Sequence, residues 1–247
     1  MSLRYAISIG HDEIRGAHRQ AKEALFRRVA LETGRELDPE ALTIGFARRA
    51  TAYKRFALVF SDPERLAAIA TGVGRLQLLF AGKAHPHDIP GKEMIQSVFR
   101  MAERLRGRVE VVYLPGYDME QAALMTAGAD LWLNTPQPPM EASGTSGMKA
   151  ALNGVPSVSV LDGWWLEGCI EGVTGWSIGE RHNRHQPQPP LQRDADDLYR
   201  KLEEVIVPMF YRQPERYADV MRHAIALNGS FFNTERMLSQ YVTMAYF

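Results

Sequence analysis

"VEVVYLPGYDMEQAALMTAGADLWLN" (residues 109–134) sets two short apolar runs, VEVVYL (109–114) and ADLWLN (129–134), on either side of a helical pattern, DMEQAALMTAGA. A strand, a crossover helix and a second strand form the repeating unit of a parallel sheet. The unit continues in both directions. LTIGF (42–46) and LQLLFAG (76–82) come before it and PSVSVL (156–161) after it, with helical stretches DPERLAAIA, GKEMIQSVFRMAERLR and TSGMKAALNG in the gaps. Five strand candidates alternating with helices predict an α/β fold, a doubly wound, mostly parallel sheet with helices on both faces.

Outside this core the pattern changes. From Asp12 to Gly34, Ile14, Ala17, Ala21, Leu25 and Val29 recur at helical spacing, which predicts one long amphipathic helix with Asp12 as N-cap and Gly34 as stop. RHNRHQPQPP (181–190) reads as a polar surface loop, followed by helices near 194–212, 214–228 and 230–246. In a chain of 247 residues, 29 Lys and Arg balance 29 Asp and Glu, so no global field draws the chain to nucleic acid or an acidic membrane. The single Cys169 excludes an internal disulfide and a multi-cysteine metal site; a small buried hydrophobe is its commoner fate. The start, MSLRYAISIGHDE, lacks the pattern of a signal peptide, and no run has the apolar length of a membrane span. The expectation is a cytoplasmic protein whose function rests on a local site.

Ligands of doubly wound sheets bind beyond the carboxyl ends of the strands, which fixes the loops of interest. In EASGTSGMK (141–149), a helix entered at Gly144 to Thr145 exposes its first free amides, and small residues let an anion reach the backbone. Lys149 follows Thr145 by one turn, roughly 5.4 Å along the same face. A ligand with a phosphate and an amine-reactive group, such as pyridoxal phosphate, would use both. By spacing alone, a capped helix with a solvated lysine is the commoner occurrence, so the motif taken by itself suggests an anion and no more. FARRATAYKR (46–55) gathers Arg48, Arg49, Lys54 and Arg55 on one loop. That is either an anion site or a solvated basic turn, and its place beyond a strand end favours the site. Glu141, opposite these cations across the expected cleft, is suited to sugar hydroxyls or is an exposed loop acid. Tyr117 is suited to stacking on a flat ring or to ordinary packing, and Trp164 and Trp165 to lining a sugar site or to packing in the core. His85 and His87 lack supporting ligands, so no metal is expected. Neither a Ser, His, Asp triad nor a G-x-G-x-x-G turn is present.

In order and on these loops, RRATAYKR (48–55), AGKAHPHD (81–88), LPGYD (114–118), EASGTSGMKAALNG (141–154) and LDGWW (161–165) closely resemble the carboxyl-terminal domain of the α-glucan (glycogen) phosphorylases, from about residue 12 to about 180. The resemblance implies a Rossmann-like domain forming one half of the two-domain GT-B architecture. It spans 1–247 as a leading helix (12–34), a cofactor and phosphate core (40–180) and a helical extension (194–247). It also implies pyridoxal phosphate joined to Lys149 as a Schiff base, its phosphate held by Thr145, Ser146 and Gly147, with Tyr117 on the ring and Arg48 and Lys83 nearby. Arg49 and Lys54 are implied to bind inorganic phosphate, and Glu141, Ser143, Gly144 and Tyr53 to meet the sugar. The implied reaction is phosphorolysis of an α-1,4-glucan end to glucose 1-phosphate, the cofactor phosphate relaying a proton.

The family's amino-terminal domain is not represented in these motifs, so the chain alone is expected to be inactive, with the late helices exposing apolar surface or pairing in a homo-oligomer. LDGWW, where animal and plant members carry Leu-Asp-Gly-Ala-Asn, is like the shorter microbial branch and speaks against nucleotide allostery and phosphorylation. Two other readings are a nucleotide-sugar glycosyltransferase half-domain and a non-catalytic binding module; a pyridoxal chromophore on Lys149 separates the first of these from a phosphorylase.

Overall fold

A computed structural model describes residues 3–181 and 190–246. Six strands, β1 (Leu42–Ala47), β2 (Leu76–Ala81), β3 (Glu110–Leu114), β4 (Leu131–Asn134), β5 (Ser157–Val160) and β6 (Gly175–Ile178), form one sheet in the order β3-β2-β1-β4-β5-β6. Every pairing is parallel. This is the doubly wound order, in which β1 and β4 are neighbours whose following connections leave toward opposite sides and open a crevice at their carboxyl ends.

Alternating strand residues feed the two faces, as the two-residue period of a strand requires. Ile44, Phe46, Leu78 and Phe80 enter a cluster with α2 (Pro63–Gly72), α3 (Ile89–Leu105), α7 (Leu191–Lys201), α8 (Val207–Arg212) and α9 (Pro214–His223). Ala47, Leu79 and Ala81 enter a second cluster with Leu25 and Val29 of α1 (His11–Thr33), Met125 of α4 (Met119–Gly128) and Ala150 of α5 (Thr145–Leu152). Burying each large apolar side chain contributes about 1.5–3 kcal/mol, so covering both faces is what makes near-continuous apolar strands stable.

The leading helix begins one residue before the expected cap. Gly10 is the N-cap and makes no side-chain bond, while Asp12 lies in the first turn and pairs with Arg15 at 2.5 Å. An acid there favours the positive end of the helix dipole without capping it. Gly34 does end the helix, in the left-handed conformation, donating its N–H to Ala30 O. A buried ionic network ties α1 to the sheet. Lys22 Nζ lies 2.7 Å from Asp130, whose carboxylate also meets His18 Nε2 at 2.9 Å and accepts from the Thr43 N–H at 2.7 Å.

β6 was not among the sequence candidates. Its four residues, GWSI, bury Trp176 and Ile178 and leave Ser177 half exposed. After the short helix α6 (Trp165–Gly168), the tail runs through α7, a π-helical segment at Leu202–Ile206, α8, α9, a second π-helical segment at Ala224–Gly229 and α10 (Thr234–Tyr241). The polar loop expected at 181–190 falls, for residues 182–189, outside the described residues. Among the described residues no helix is long and apolar enough to cross a membrane.

Candidate functional site

The loops after β1 and β4 are sewn together at the crevice. The Gln137 N–H donates to Tyr53 O at 2.7 Å, Thr135 Oγ1 to Lys54 O at 2.9 Å, and Arg55 reaches the carbonyls of Thr135 and Pro136 at 2.9 and 2.6 Å. Arg55 also donates to Asp194 of α7 at 2.6 Å, with both side chains buried. Arg55, one of the four cations on the β1 loop, thus holds the β4 loop and the tail to that loop.

Glu141 draws two of the remaining cations together. Its Oε2 accepts from Arg48 Nη2 at 2.7 Å and from Lys54 Nζ, and all three side chains are about nine-tenths buried. Lys54 also lies over the Tyr53 ring, 4.4 Å from its centroid. Burial pushes the Arg48 guanidinium below its usual pKa, and Glu141 opposes that shift. The Nε and Nη1 of Arg48 are buried and, among the described residues, have no hydrogen-bond partner. Orphaned cationic donors in a buried place are costly, and an anion is the group that satisfies them. Arg49 and Lys83 stand exposed on the rim.

Gly144, at φ +94°, turns the chain into α5 and caps it without a side chain. The Gly147 N–H closes that turn onto Gly144 O at 3.1 Å, which leaves the helix's two earliest amides, those of Thr145 and Ser146, as the ones open to a ligand. Ser146 Oγ accepts from the Trp132 indole of β4 at 3.3 Å. Lys149 is exposed one turn further on; its Nζ has no partner among the described residues. Tyr117 is half-buried against the cluster that includes Trp132 and Ala150, and burial raises its pKa.

The two tryptophans of LDGWW belong to the packing. Trp165 is fully buried and donates to Trp176 O at 3.2 Å. The Trp164 indole lies under the start of α5, where a Cβ added to Gly147 would meet it at 2.9 Å. Asp162, a residue of LDGWW to which the sequence assigns no role, accepts the Glu141 N–H at 2.8 Å. His85 and His87 are exposed with ring centroids 5.5 Å apart. Among the described residues no group of three or more metal-type side chains is gathered.

Behind Glu141 remains a cavity of about 10 Å³ lined by Arg48, Asn134, Ser143 and Asp162. Roomier grooves lie elsewhere: one of about 460 Å³ is lined by Lys22, Arg75 and Tyr211, beside the amino ends of the strands, and one of about 590 Å³ by Ile7, Ile170 and Phe231. Neither touches the crevice residues, whose charge and orphaned donors mark the candidate site better than enclosed volume does.

Residues 9–174 match the family model of the carbohydrate phosphorylases. The chain is 42% identical over 212 residues to a maltodextrin phosphorylase of Thermococcus litoralis, covering 85% of this chain and 25% of the relative. It is 40% identical over 245 residues to a glycogen phosphorylase of Aquifex aeolicus, covering 96% of this chain and 35% of the relative. A glycogen phosphorylase of Mycobacterium tuberculosis is 41% identical over 215 residues, 85% of this chain and 25% of the relative. The chain thus spans a quarter to about a third of the length of these relatives.

Proposed function

The chain belongs to the carbohydrate phosphorylase family, and from that premise we propose that it is the cofactor- and phosphate-binding half of an α-1,4-glucan phosphorylase releasing glucose 1-phosphate. The observation that carries the reading is the meeting of the β1 and β4 loops, where Arg48 keeps two buried donors without a partner among the described residues, beside Glu141 and Lys54. The names of the relatives, maltodextrin and glycogen phosphorylase, support an α-glucan as the substrate class.

The residues present fit pyridoxal phosphate. Lys149 is an accessible amine with no partner among the described residues, the first amides of α5 suit a phosphate at a helix start, and Tyr117 offers a ring from the β3 loop. Lys149 would hold the cofactor, Thr145 and Ser146 its phosphate with Gly147 shaping the turn, and Arg48 would satisfy its orphaned donors on the same anion. When bound, the cofactor supplies a phosphate that relays a proton to the substrate phosphate. Arg49 and Lys54 would bind that inorganic phosphate, and Glu141, Ser143, Gly144 and Tyr53 would orient the sugar. Two anions in one crevice repel by about 4 kcal/mol per pair of unit charges at about 4 Å and an effective dielectric of about 20, which is why cations crowd these loops.

The chain spans a quarter to about a third of its relatives' length, which suits a site completed by residues beyond this sequence, so the chain alone is proposed to have no turnover on an α-glucan with phosphate. The domain plan proposed is a leading helix, a core carrying the cofactor and phosphate loops, and a helical extension. Titration of pyridoxal phosphate into the chain and into Lys149→Ala tests the reading. A saturable shift of the cofactor absorbance in the parent and none in the variant is the expected result; identical spectra would overturn it.

A further inference from the structure

The loop after β5 contains a buried carboxylate with an unusual allotment of partners. Asp162 is 6% exposed; among the described residues it pairs with no cation, and its Oδ2 accepts the backbone N–H of Glu141 at 2.8 Å. Two residues on, the Trp164 N–H donates to Ser143 O at 2.8 Å, and its indole lies against Gly147. The 162–164 segment therefore fixes the backbone on both sides of Ala142. A side chain with this one contact acts through the residue it holds.

That residue's carboxylate sits where an oxyanion would. Arg48 and Lys54 converge on a single oxygen, Glu141 Oε2, in a place about nine-tenths buried. A phosphate approaching Lys54 meets a fixed negative charge already hydrogen-bonded to its Nζ, in surroundings where screening is weak.

We propose that Asp162 is a positioning residue that holds the Glu141 carboxylate on Arg48 and Lys54 as a built-in counter-anion, so that inorganic phosphate binds at Lys54 only in competition with Glu141. The inference rests on the reading of Lys54 and its neighbours as phosphate ligands. It goes beyond that reading by making Glu141 a determinant of phosphate affinity as well as a contact for sugar. Glu141 thus offsets part of the crevice's positive charge while no ligand is present, and phosphate entry depends on Glu141 moving to another donor, such as the hydroxyls of a sugar.

Calorimetric titration of inorganic phosphate into the full chain tests this. Glu141→Gln keeps the shape, removes the charge, and is expected to tighten phosphate binding about tenfold or more. Asp162→Ala is expected to tighten it in the same direction by less, and Asp162→Asn, whose amide oxygen still accepts the Glu141 N–H, to stay near the parent value. In the Glu141→Gln background Asp162→Ala adds nothing, and Lys54→Met erases the gain. Parent-like affinity in Glu141→Gln, an Asp162→Asn that behaves as Asp162→Ala, an Asp162→Ala effect that persists without the Glu141 charge, or no phosphate binding in any form would each overturn the proposal. If Asp162→Ala does not fold, Glu141→Gln with the Lys54→Met control decides it. A pyridoxal adduct on Lys149 without the Glu141→Gln gain removes this inference and leaves the cofactor reading standing; the gain without an adduct does the reverse.

Discussion

Lys22 and Asp130 show how much a single buried pair decides. The two side chains are 5% and 3% exposed, and Lys22 also donates to Ala41 O at 2.8 Å. Removing one partner leaves the other charge buried and alone, so Lys22→Met should destabilise the chain by about 3–5 kcal/mol, read from urea unfolding. Burial works against ionisation of Asp130, yet Lys22 and His18 outweigh it and hold the carboxyl below its usual range. A folded pKa below the unfolded one gives stability that is complete above about pH 4 and is lost as pH falls through the folded value. Unfolding midpoints should fall on acidification below about pH 4, and less steeply in Asp130→Asn, which has no proton to gain. The network was not legible in the sequence, because its members lie 108 and 112 residues apart and only the fold brings them together. Glu141, Arg48 and Lys54 could be named from their loops, since the strand pattern fixes which loops share an end of the sheet. Their mutual pairing, and the diversion of Arg55 to Asp194 at a separation of 139 residues, could not.

At the scale of elements, the α1 and α4 pair rests on one close approach. A Cβ on Gly128 would stand 2.7 Å from Ala21 O and 2.8 Å from Leu25 Cβ, so no larger residue fits without parting the helices. Gly128→Ala should cost about 1–3 kcal/mol as an overpacking change, measured by urea unfolding; a stability equal to the parent would contradict this packing. The strands with strong apolar runs were legible because burial on both faces leaves few polar residues in them, and β1 to β5 fall within a residue or two of the runs. β6 escaped because GWSI is short, opens on a glycine, and shows only one alternation of buried and half-exposed positions. Asp12 failed as a cap because helix starts are decided by backbone geometry one or two residues either way, which periodicity does not resolve.

The whole molecule carries an imbalance at its end. Helix α10 and the π-helical segment Val242–Tyr246 bury no residue, and Leu238, Tyr241, Met244 and Tyr246 are 60%, 54%, 81% and 73% exposed. Apolar surface of this extent binds environment-sensitive dyes, and Leu238→Glu with Tyr241→Glu should lower that fluorescence without changing the melting of the sheet. Fluorescence equal to the parent would mean the dye reports another groove. Family membership, the all-parallel sheet and the crevice between β1 and β4 support the proposal that this chain anchors pyridoxal phosphate on the helix that follows β4. Borohydride reduction of the chain with pyridoxal phosphate, followed by mass mapping of the peptides, tests it most directly. One adduct per chain, on the peptide containing Lys149, is the expected result. Label spread over surface lysines, or centred on Lys54 or Lys83 with Lys149 unmodified, would contradict it.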